Sequence, residues 1–484
     1  MFEKFHYAEA CSIEEDYKDL WDFATSVVLE EYSYMDGSMI ISPIQTDKNM
    51  RSTPAFPKFL QYNTEEEYIL ENGWEEYMEL WNMDERKTPL WWTFLKNETL
   101  KKKKIQDGDI RMIMCTDPTF TRFGAAFDQH QNQLMKELTE VKQAQVGWTP
   151  FYGGFDHRLR RLETRGDLFV ELDWTRFDGT IPVEVFTHIK DIRWFFHGER
   201  YKTRENRQRY LWYVHNLINK VTLLPTGEVT VIKKGNPSGQ ISTTTDNNMV
   251  NTFLTAFEVA YQYKQQNGNL PTVREYFLNV DSICYGDDRL LAINTTWCKY
   301  DASIIPEFYK KIFGMWVKPE NIKTSESCEG LSFCGLTAVK VNDKYVGVPN
   351  VNKILSTIES PVRRLPDVEA LWGKLQSLRI LCEYAGDEPK LYLEEQIHRL
   401  REYCQAEKIE LPEVPRWFYS KIWTGGPKNS DGESQASEAP KAKAETENIT
   451  KIKQSREETG EKDCKEGSTK ATNTNASKAW CCDN

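Results

Sequence analysis

The sequence predicts an α+β fold, and three observations predict it. Leu168, Phe169, Val170, Glu171, Leu172 and Asp173 form a run of buried-strand type that ends on a carboxylate. Residues 279–293 read as a hairpin, in which Val280, Ile283 and Tyr285 lead into Gly286, Asp287 and Asp288, followed by Leu290, Leu291 and Ile293. Apolar residues at helical spacing supply the helices: Met249, Val250, Phe253 and Phe257 between the two strand regions, and Leu371, Leu375 and Leu378 after them.

Taken in chain order, 484 residues rich in apolar and aromatic side chains bury a large core, as one elaborate domain or as two or three subdomains. The first hundred residues alternate acidic clusters (Glu14 to Asp16, Glu65 to Glu67) with Trp21, Trp74, Trp81, Trp91 and Trp92, a mixed and mostly helical pattern. From Lys96 the balance turns basic, with Lys101 to Lys104 in a row and Arg111 opening a strand-like run through Met112, Ile113 and Met114. A second basic region lies between Arg193 and Arg209. Taken alone, each basic run reads as a solvated helix face. After Gly335 a hairpin is predicted around Val341 to Val348, and residues 366–411 form a helical subdomain. From about Gly425 to Asn484 the composition collapses to Lys, Glu, Ser, Thr, Gly and Ala, so this tail is expected to lack a packed structure. There is no internal repeat.

Composition narrows the function classes. A formal net charge of −11 argues against a chain coated with positive charge for non-specific nucleic-acid binding, although a basic channel fits inside an acidic shell. The 11 cysteines form no CxxC pair and only 7 histidines accompany them, so neither a disulfide framework nor a zinc site is indicated, and a reducing compartment is expected. No run of apolar residues approaches membrane-spanning length, and Glu3 and Lys4 break any signal-peptide pattern, so membrane contact is expected only through partners.

The chemistry concentrates between Leu168 and Gly335. Asp173 and Asp178 are five apart, which misaligns them on a strand or a helix, so a joint role requires a turn within Trp174 to Gly179. An aspartate at a strand end is commonly a cap, and Gly-Asp is a common hairpin turn; either feature alone is ordinary. The adjacent Asp287 and Asp288 repel one another, and a divalent cation relieves that repulsion. With Asp173 alongside, the set offers oxygen ligands for two magnesium ions of the kind used in phosphoryl transfer. Between these elements, Lys233, Lys234, Gly235, Asn236, Pro237, Ser238, Gly239 and Gln240 form a loop that feeds a helix. Ser-Gly there is either an ordinary helix cap or a loop in which Gly239 approaches a nucleic-acid backbone while Ser238, Thr243 and Asn247 address a ribose. Thr243 and Asn247, four apart, share one helix face.

Asp173 with Asp178, then Ser238-Gly239-x-x-x-Thr243-x-x-x-Asn247, then Tyr285-Gly286-Asp287-Asp288 resemble motifs A, B and C of viral RNA-dependent RNA polymerases, in that order. The wording from Asp173 to Pro182 and from Thr243 to Asn247 is most similar to the astrovirus polymerases within the picornavirus-like positive-strand group. The resemblance covers roughly residues 40 to 424. Flanking segments resemble further motifs: Thr53 to Pro57 motif G, Lys96 to Glu98 with Arg111 to Ile113 motif F, Phe313 to Lys323 motif D, and Phe333 to Leu336 motif E, with Cys334 expected to be packing.

The resemblance implies a right-hand polymerase. Its parts are an N-terminal segment and fingers (1–165), palm motif A (166–182), a fingers insertion (183–232), palm motifs B to E (233–345), a helical thumb (346–424) and the tail (425–484). It implies Asp173 and Asp287 as ligands of two Mg2+ ions, replaceable by Mn2+, with Asp288 auxiliary. Asp178 reads the ribose 2′-hydroxyl with Asn247 and with Ser238 or Thr243; Lys96 and Arg111 bind the triphosphate; Lys323 protonates pyrophosphate; Gly239 and Gly286 serve the backbone. The Arg193–Arg209 region would lie beside template or nucleotide. Implied partners are RNA template and primer, NTPs, a small genome-linked protein primer and other viral replication proteins, with action at replication membranes in the host cytoplasm after release from a polyprotein. Two alternatives stand beside this reading. A reverse transcriptase shares the palm but carries a bulky aromatic in place of Asp178, and a non-enzymatic RNA-binding scaffold would retain the palm without chemistry.

Overall fold

The computed structural model describes residues 12–425 apart from 101 and 360. The tail expected to be unstructured lies, beyond Gly425, outside the described residues. Eleven strands occur among them: β1 (Trp91–Leu95), β2 (Met112–Cys115), β3 (Leu168–Trp174), β4 (Lys220–Leu223), β5 (Val229–Ile232), β6 (Val280–Tyr285), β7 (Asp288–Ile293), β8 (Val317–Ser325), β9 (Ser332–Phe333), β10 (Leu336–Val341) and β11 (Lys344–Pro349).

The central sheet has the order β6-β7-β3-β8 and is antiparallel throughout. β3 and β7 are its inner strands, which is why both read as nearly continuous apolar runs: Val170, Leu172 and Leu291 enter the apolar cluster on one face of the sheet, and Phe169, Leu290 and Ala292 the cluster on the other. β6 and β7 form the predicted hairpin, with Tyr285 paired to Asp288 across a two-residue turn. Behind the sheet, helix Thr243–Asn267 packs on β6, on helix Lys18–Glu31 and on helix Val183–Phe196. Its first four turns are buried on almost every side, so its polar residues there must find partners inside the protein.

A second sheet, β2-β1-β4-β5, joins residues 91–115 to residues 220–232, with β1 and β4 parallel and the outer pairs antiparallel. The third sheet, β11-β10-β9, contains the hairpin predicted near 341–348; Asn342 and Asp343 form its turn with φ of 47° and 60°. Short polar side chains tolerate that left-handed geometry best. The helical region predicted for 366–411 consists of helices Val368–Leu381 and Asp387–Ala406, which share their own apolar cluster around Trp372, Leu375, Leu393 and Ile397. Among the described residues no helix is long and apolar enough to cross a membrane.

One expectation is corrected here. Arg193 does not border a nucleic-acid channel: it and Lys190, three residues apart on one face of their helix, are fully buried. Lys190 meets Asp128 at 3.0 Å and Asp246 at 2.7 Å, and Arg193 meets Asp246 at 2.6 Å. Further along, Arg207 pairs with Asp191 and Arg209 donates to the Trp81 carbonyl. A run of charges in a sequence carries no information about which way the helix face turns: the face with Lys190 and Arg193 turns inward, while Arg200 and Arg204 stay exposed.

Candidate active site

The acidic centre follows from the sheet register. β3 and β7 pair up to Leu172 opposite Arg289, so the next residues along, Asp173 and Asp288, emerge side by side at the strand ends, with Asp287 in the adjoining turn. Gly286 occupies the first turn position at φ 65°, a conformation glycine adopts without the Cβ clash of other residues. The turn is then fixed from behind by helix Thr243–Asn267: Asn248 Oδ1 accepts from the Gly286 N–H at 2.6 Å, and Asn251 Nδ2 donates to the Gly286 carbonyl at 3.1 Å.

All three carboxyls are pushed above their ordinary pKa. Asp288 is pushed up to about 7, first by desolvation and then by the charges of Asp287, Asp173 and Glu171. Asp287 is pushed up to about 6, first by desolvation and then by Asp178 and Asp173; it keeps contact with solvent but is crowded by protein on its other sides. Asp173 is raised by desolvation and by Glu171, against the opposing pull of Lys104 and Lys323.

Asp178 reaches the same centre through the turn that the sequence required. Arg176 adopts left-handed backbone at φ 58°, and a single helical turn, Phe177–Thr180, follows. Asn247 Nδ2 donates to Asp178 Oδ1 at 2.8 Å, so these two predicted residues do meet. Ser238 and Thr243 do not join them. Ser238 Oγ donates to the Met112 carbonyl at 3.2 Å, and Thr243 Oγ1 donates to the carbonyls of Pro237 and Gln240 at 2.8 and 3.0 Å. Both hydroxyls hold the loop together and to β2. Gly239 is corrected in the same sense: a Cβ there would lie 2.2 Å from the Met114 carbonyl oxygen, so protein backbone, not nucleic acid, already fills the space its missing side chain leaves.

The basic residues flank the acids. Arg111 binds Glu98 through both Nε, at 2.6 Å, and Nη2, and its guanidinium is held above its usual pKa, first by Glu98 and more weakly by Asp287 and Asp178. Lys96 stands 3.9 Å from the same Glu98. Lys323 lies opposite Glu171 in the β3–β8 register, and its Nζ meets Glu171 at 2.9 Å, two residues from Asp173 on the same strand face. Glu171 also accepts from the Ser332 N–H at 2.7 Å, which ties β9 to the site.

The sequence assigns no role of their own to Glu98, Glu171, Asn236, Gln240, Asn248 and Asn251. Asparagines and glutamines in a loop or a helix read as generic polar residues; only the burial of helix Thr243–Asn267 shows that they need partners. Cys334, expected as packing, also sends its thiol to Asp288.

Among the described residues no three acidic, histidine or cysteine side chains close a metal site by themselves. The converging donors are hard carboxylate oxygens that repel one another, and this fits a divalent cation whose other positions are taken by water and phosphate. Asp173 and Asp287, with Asp288 beside them, are the residues that would hold it.

Compared with known proteins, residues 57–405 match the family model described as "Viral RNA-dependent RNA polymerase". The chain is 56% identical over 427 residues to the non-structural polyprotein 1AB of turkey astrovirus 2, covering 87% of this chain and 26% of that protein. It is 54% identical over 427 residues to the same polyprotein of avian nephritis virus 1 (87% and 28% covered) and 41% identical over 440 residues to that of human astrovirus-1 (89% and 30% covered). The chain thus spans 26% to 30% of the length of these relatives. In structure it resembles a Sicinivirus 3Dpol RNA dependent RNA polymerase with a TM-score of 0.61 and 17% identity, covering 83% of each chain, which is a likeness of fold.

Proposed function

The chain belongs to the viral RNA-dependent RNA polymerases and has their right-hand fold, and from that premise we propose that it copies an RNA template by adding ribonucleotides to a primer 3′-hydroxyl. The observation that carries the reading is the meeting of β3 and the β6–β7 turn, which sets Asp173 beside Asp287 and Asp288, with Asp178 held by Asn247 within electrostatic reach.

In this reading the hydroxyl attacks the α-phosphorus in line and pyrophosphate departs. Asp173 and Asp287, assisted by Asp288, would hold two Mg2+ ions, replaceable by Mn2+. When bound, such ions lower the pKa of the attacking hydroxyl and neutralise charge on the triphosphate. Arg111, with Lys96 as a softer point charge, exchanges the Glu98 carboxylate for phosphate oxygens; its planar fork suits that exchange. Lys323, steadied by Glu171, gives a proton to the departing pyrophosphate. Asp178 accepts the ribose 2′-hydroxyl while Asn247 steadies its carboxylate, and this separates ribose from deoxyribose. A carboxylate held in that way favours a ribonucleotide polymerase over a reverse transcriptase, where an aromatic would fill the place. The polyprotein relatives support release from a precursor. The same reading includes work beside other viral replication proteins, a genome-linked protein as primer, and replication membranes of the host cytoplasm as the place of action.

Primer extension on a defined RNA template with Mg2+ tests the proposal. Extension with ribonucleotides that disappears in Asp287→Asn is the expected result; extension that survives Asp287→Asn removes the assignment of that carboxylate.

A further inference from the structure

Three side-chain amides stand in series between a buried charge cluster and Asp178. Gln240 Nε2 donates to Asp246 Oδ2 at 2.7 Å and to Asn236 Oδ1 at 2.9 Å. Asn236 Nδ2 donates to Asn247 Oδ1 at 2.8 Å. Asn247 Nδ2 donates to Asp178 Oδ1 at 2.8 Å. Gln240, Asn236 and Asn247 are all buried, as is Asp246, which Lys190 and Arg193 hold from the other side.

The direction of this series is forced. An amide donates only through nitrogen and accepts only through oxygen. Gln240 cannot turn over, because its Oε1 accepts from the Ser242 N–H at 2.9 Å and from the Tyr213 hydroxyl at 3.3 Å while its nitrogen faces a carboxylate. With Gln240 fixed, a flipped Asn236 would set nitrogen against nitrogen on one side and oxygen against oxygen on the other. With Asn236 fixed, a flipped Asn247 would do the same and would turn its oxygen toward the Asp178 carboxylate. Each link therefore inherits its orientation from the one before it, and the last presents N–H to Asp178.

We propose that Asn236 and Gln240 are positioning residues for ribonucleotide selection, holding the Asn247 amide in the one orientation that steadies Asp178. This rests on the reading that Asp178 senses the ribose 2′-hydroxyl. A separate tie keeps the backbone in place when the Asn236 side chain is altered: the Asn236 N–H donates to the Asp178 carbonyl at 2.7 Å. Removal of the Asn236 amide thus frees the Asn247 side chain to turn without releasing the strand-to-helix turn that carries Asp178.

The test compares kcat/KM for ribonucleotides and the matching deoxyribonucleotides in the full chain, for the unaltered protein, Asn236→Ala, Asp178→Ala and the double variant. Asn236→Ala is expected to lower the preference for ribonucleotides roughly tenfold, the scale of one hydrogen bond to a charged group, mainly through a higher KM for ribonucleotides. The double variant is expected to match Asp178→Ala alone, because the amide acts through that carboxylate. Equal losses on both sugar types in Asn236→Ala, or full additivity with Asp178→Ala, would overturn the proposal. If Asp178→Ala leaves the preference unchanged while Asn236→Ala lowers it, the amide works by another route and the proposal also falls. If neither changes it, the underlying ribose reading fails with it. Should Asn236→Ala not fold, Asn236→Ser and Gln240→Met carry the same comparison, since each weakens the series at a different link. An unchanged preference in both counts against it.

Discussion

Two clusters of aspartates lie on either side of the N-terminal half of helix Thr243–Asn267, and they are built in opposite ways. Asp128 and Asp246 are wholly buried and face Lys190 and Arg193, so each negative charge has a protein cation against it; burial alone would raise the Asp128 pKa, yet Lys190 and Arg193 hold it below the ordinary carboxylate value. Asp173, Asp287 and Asp288 crowd together at the strand ends, and Asp287 and Asp288 are driven up to about 6 and about 7. The first cluster is balanced in charge as folded, two aspartates against two cations. The second is left with negative charge that the protein does not neutralise, which disfavours the metal-free fold and prepares the site for a cation. Identical side chains serve as architecture where the chain supplies the countercharge and, in the proposed function, as a reaction centre where it does not.

That contrast can be broken at either end. The largest effect is expected from Asp287→Asn, which should cut primer extension by about 10³-fold or more, since several kcal/mol of charge stabilisation go with the ligand. In the metal-free protein the same change should raise Tm by relieving repulsion; a fall in Tm would mean that Asp287 is a structural residue after all. Asp246→Asn should do the reverse at the other cluster. It leaves two buried cations short of an anion and should cost about 3–5 kcal/mol of stability, measurable by denaturant unfolding. A loss under ~1 kcal/mol would show that water or relaxation compensates.

Proton linkage gives a third, smaller effect. Because the folded-state pKa values of Asp287 and Asp288 are raised, the folded metal-free chain holds protons that the unfolded chain has already released between the ordinary carboxylate range and about 7. Their contribution to stability therefore falls as pH rises through that window. Mg2+ competes with those protons, so the Tm gain on adding Mg2+ should be larger at pH 8 than at pH 5.5. The same gain at both pH values would remove these two carboxyls from the cation site. Smallest of all, Arg111→Lys should raise the ribonucleotide KM by about tenfold while leaving Tm nearly unchanged, because Arg111 is itself exposed and its pair with Glu98 adds little to stability, but the planar fork is lost. An unchanged KM would argue that Arg111 does not touch the triphosphate.

Much of this organisation was legible in the residues. β3 and the β6–β7 hairpin announce themselves because inner strands of a covered sheet must be apolar while their ends need not be, so Asp173, Asp287 and Asp288 stand out as polar residues that close apolar runs. That a joint role of Asp173 and Asp178 requires a turn between them followed from their spacing alone. What stayed hidden depends on facing. Lys190 and Arg193 have the same side chains whether a helix face looks out or in, and Ser238 and Thr243 have the same hydroxyls whether they meet a sugar or the carbonyls of their own loop. The amides of Asn236, Gln240, Asn248 and Asn251 gain meaning only from what lies across from them, and a linear pattern does not record that.

Helix Thr243–Asn267 carries Asn247 toward Asp178, and Asn248 and Asn251 toward Gly286, within little more than one turn. The segment therefore tolerates changes of composition far better than changes of length. One residue inserted between Asn247 and Asn248 would rotate everything beyond it by about 100° and advance it by about 1.5 Å. Asn247 and the two asparagines that clamp the acidic turn would then no longer be aligned with Asp178 and Gly286 together. Insertions and deletions among relatives should accordingly collect in the loops around this helix and spare residues 243–251.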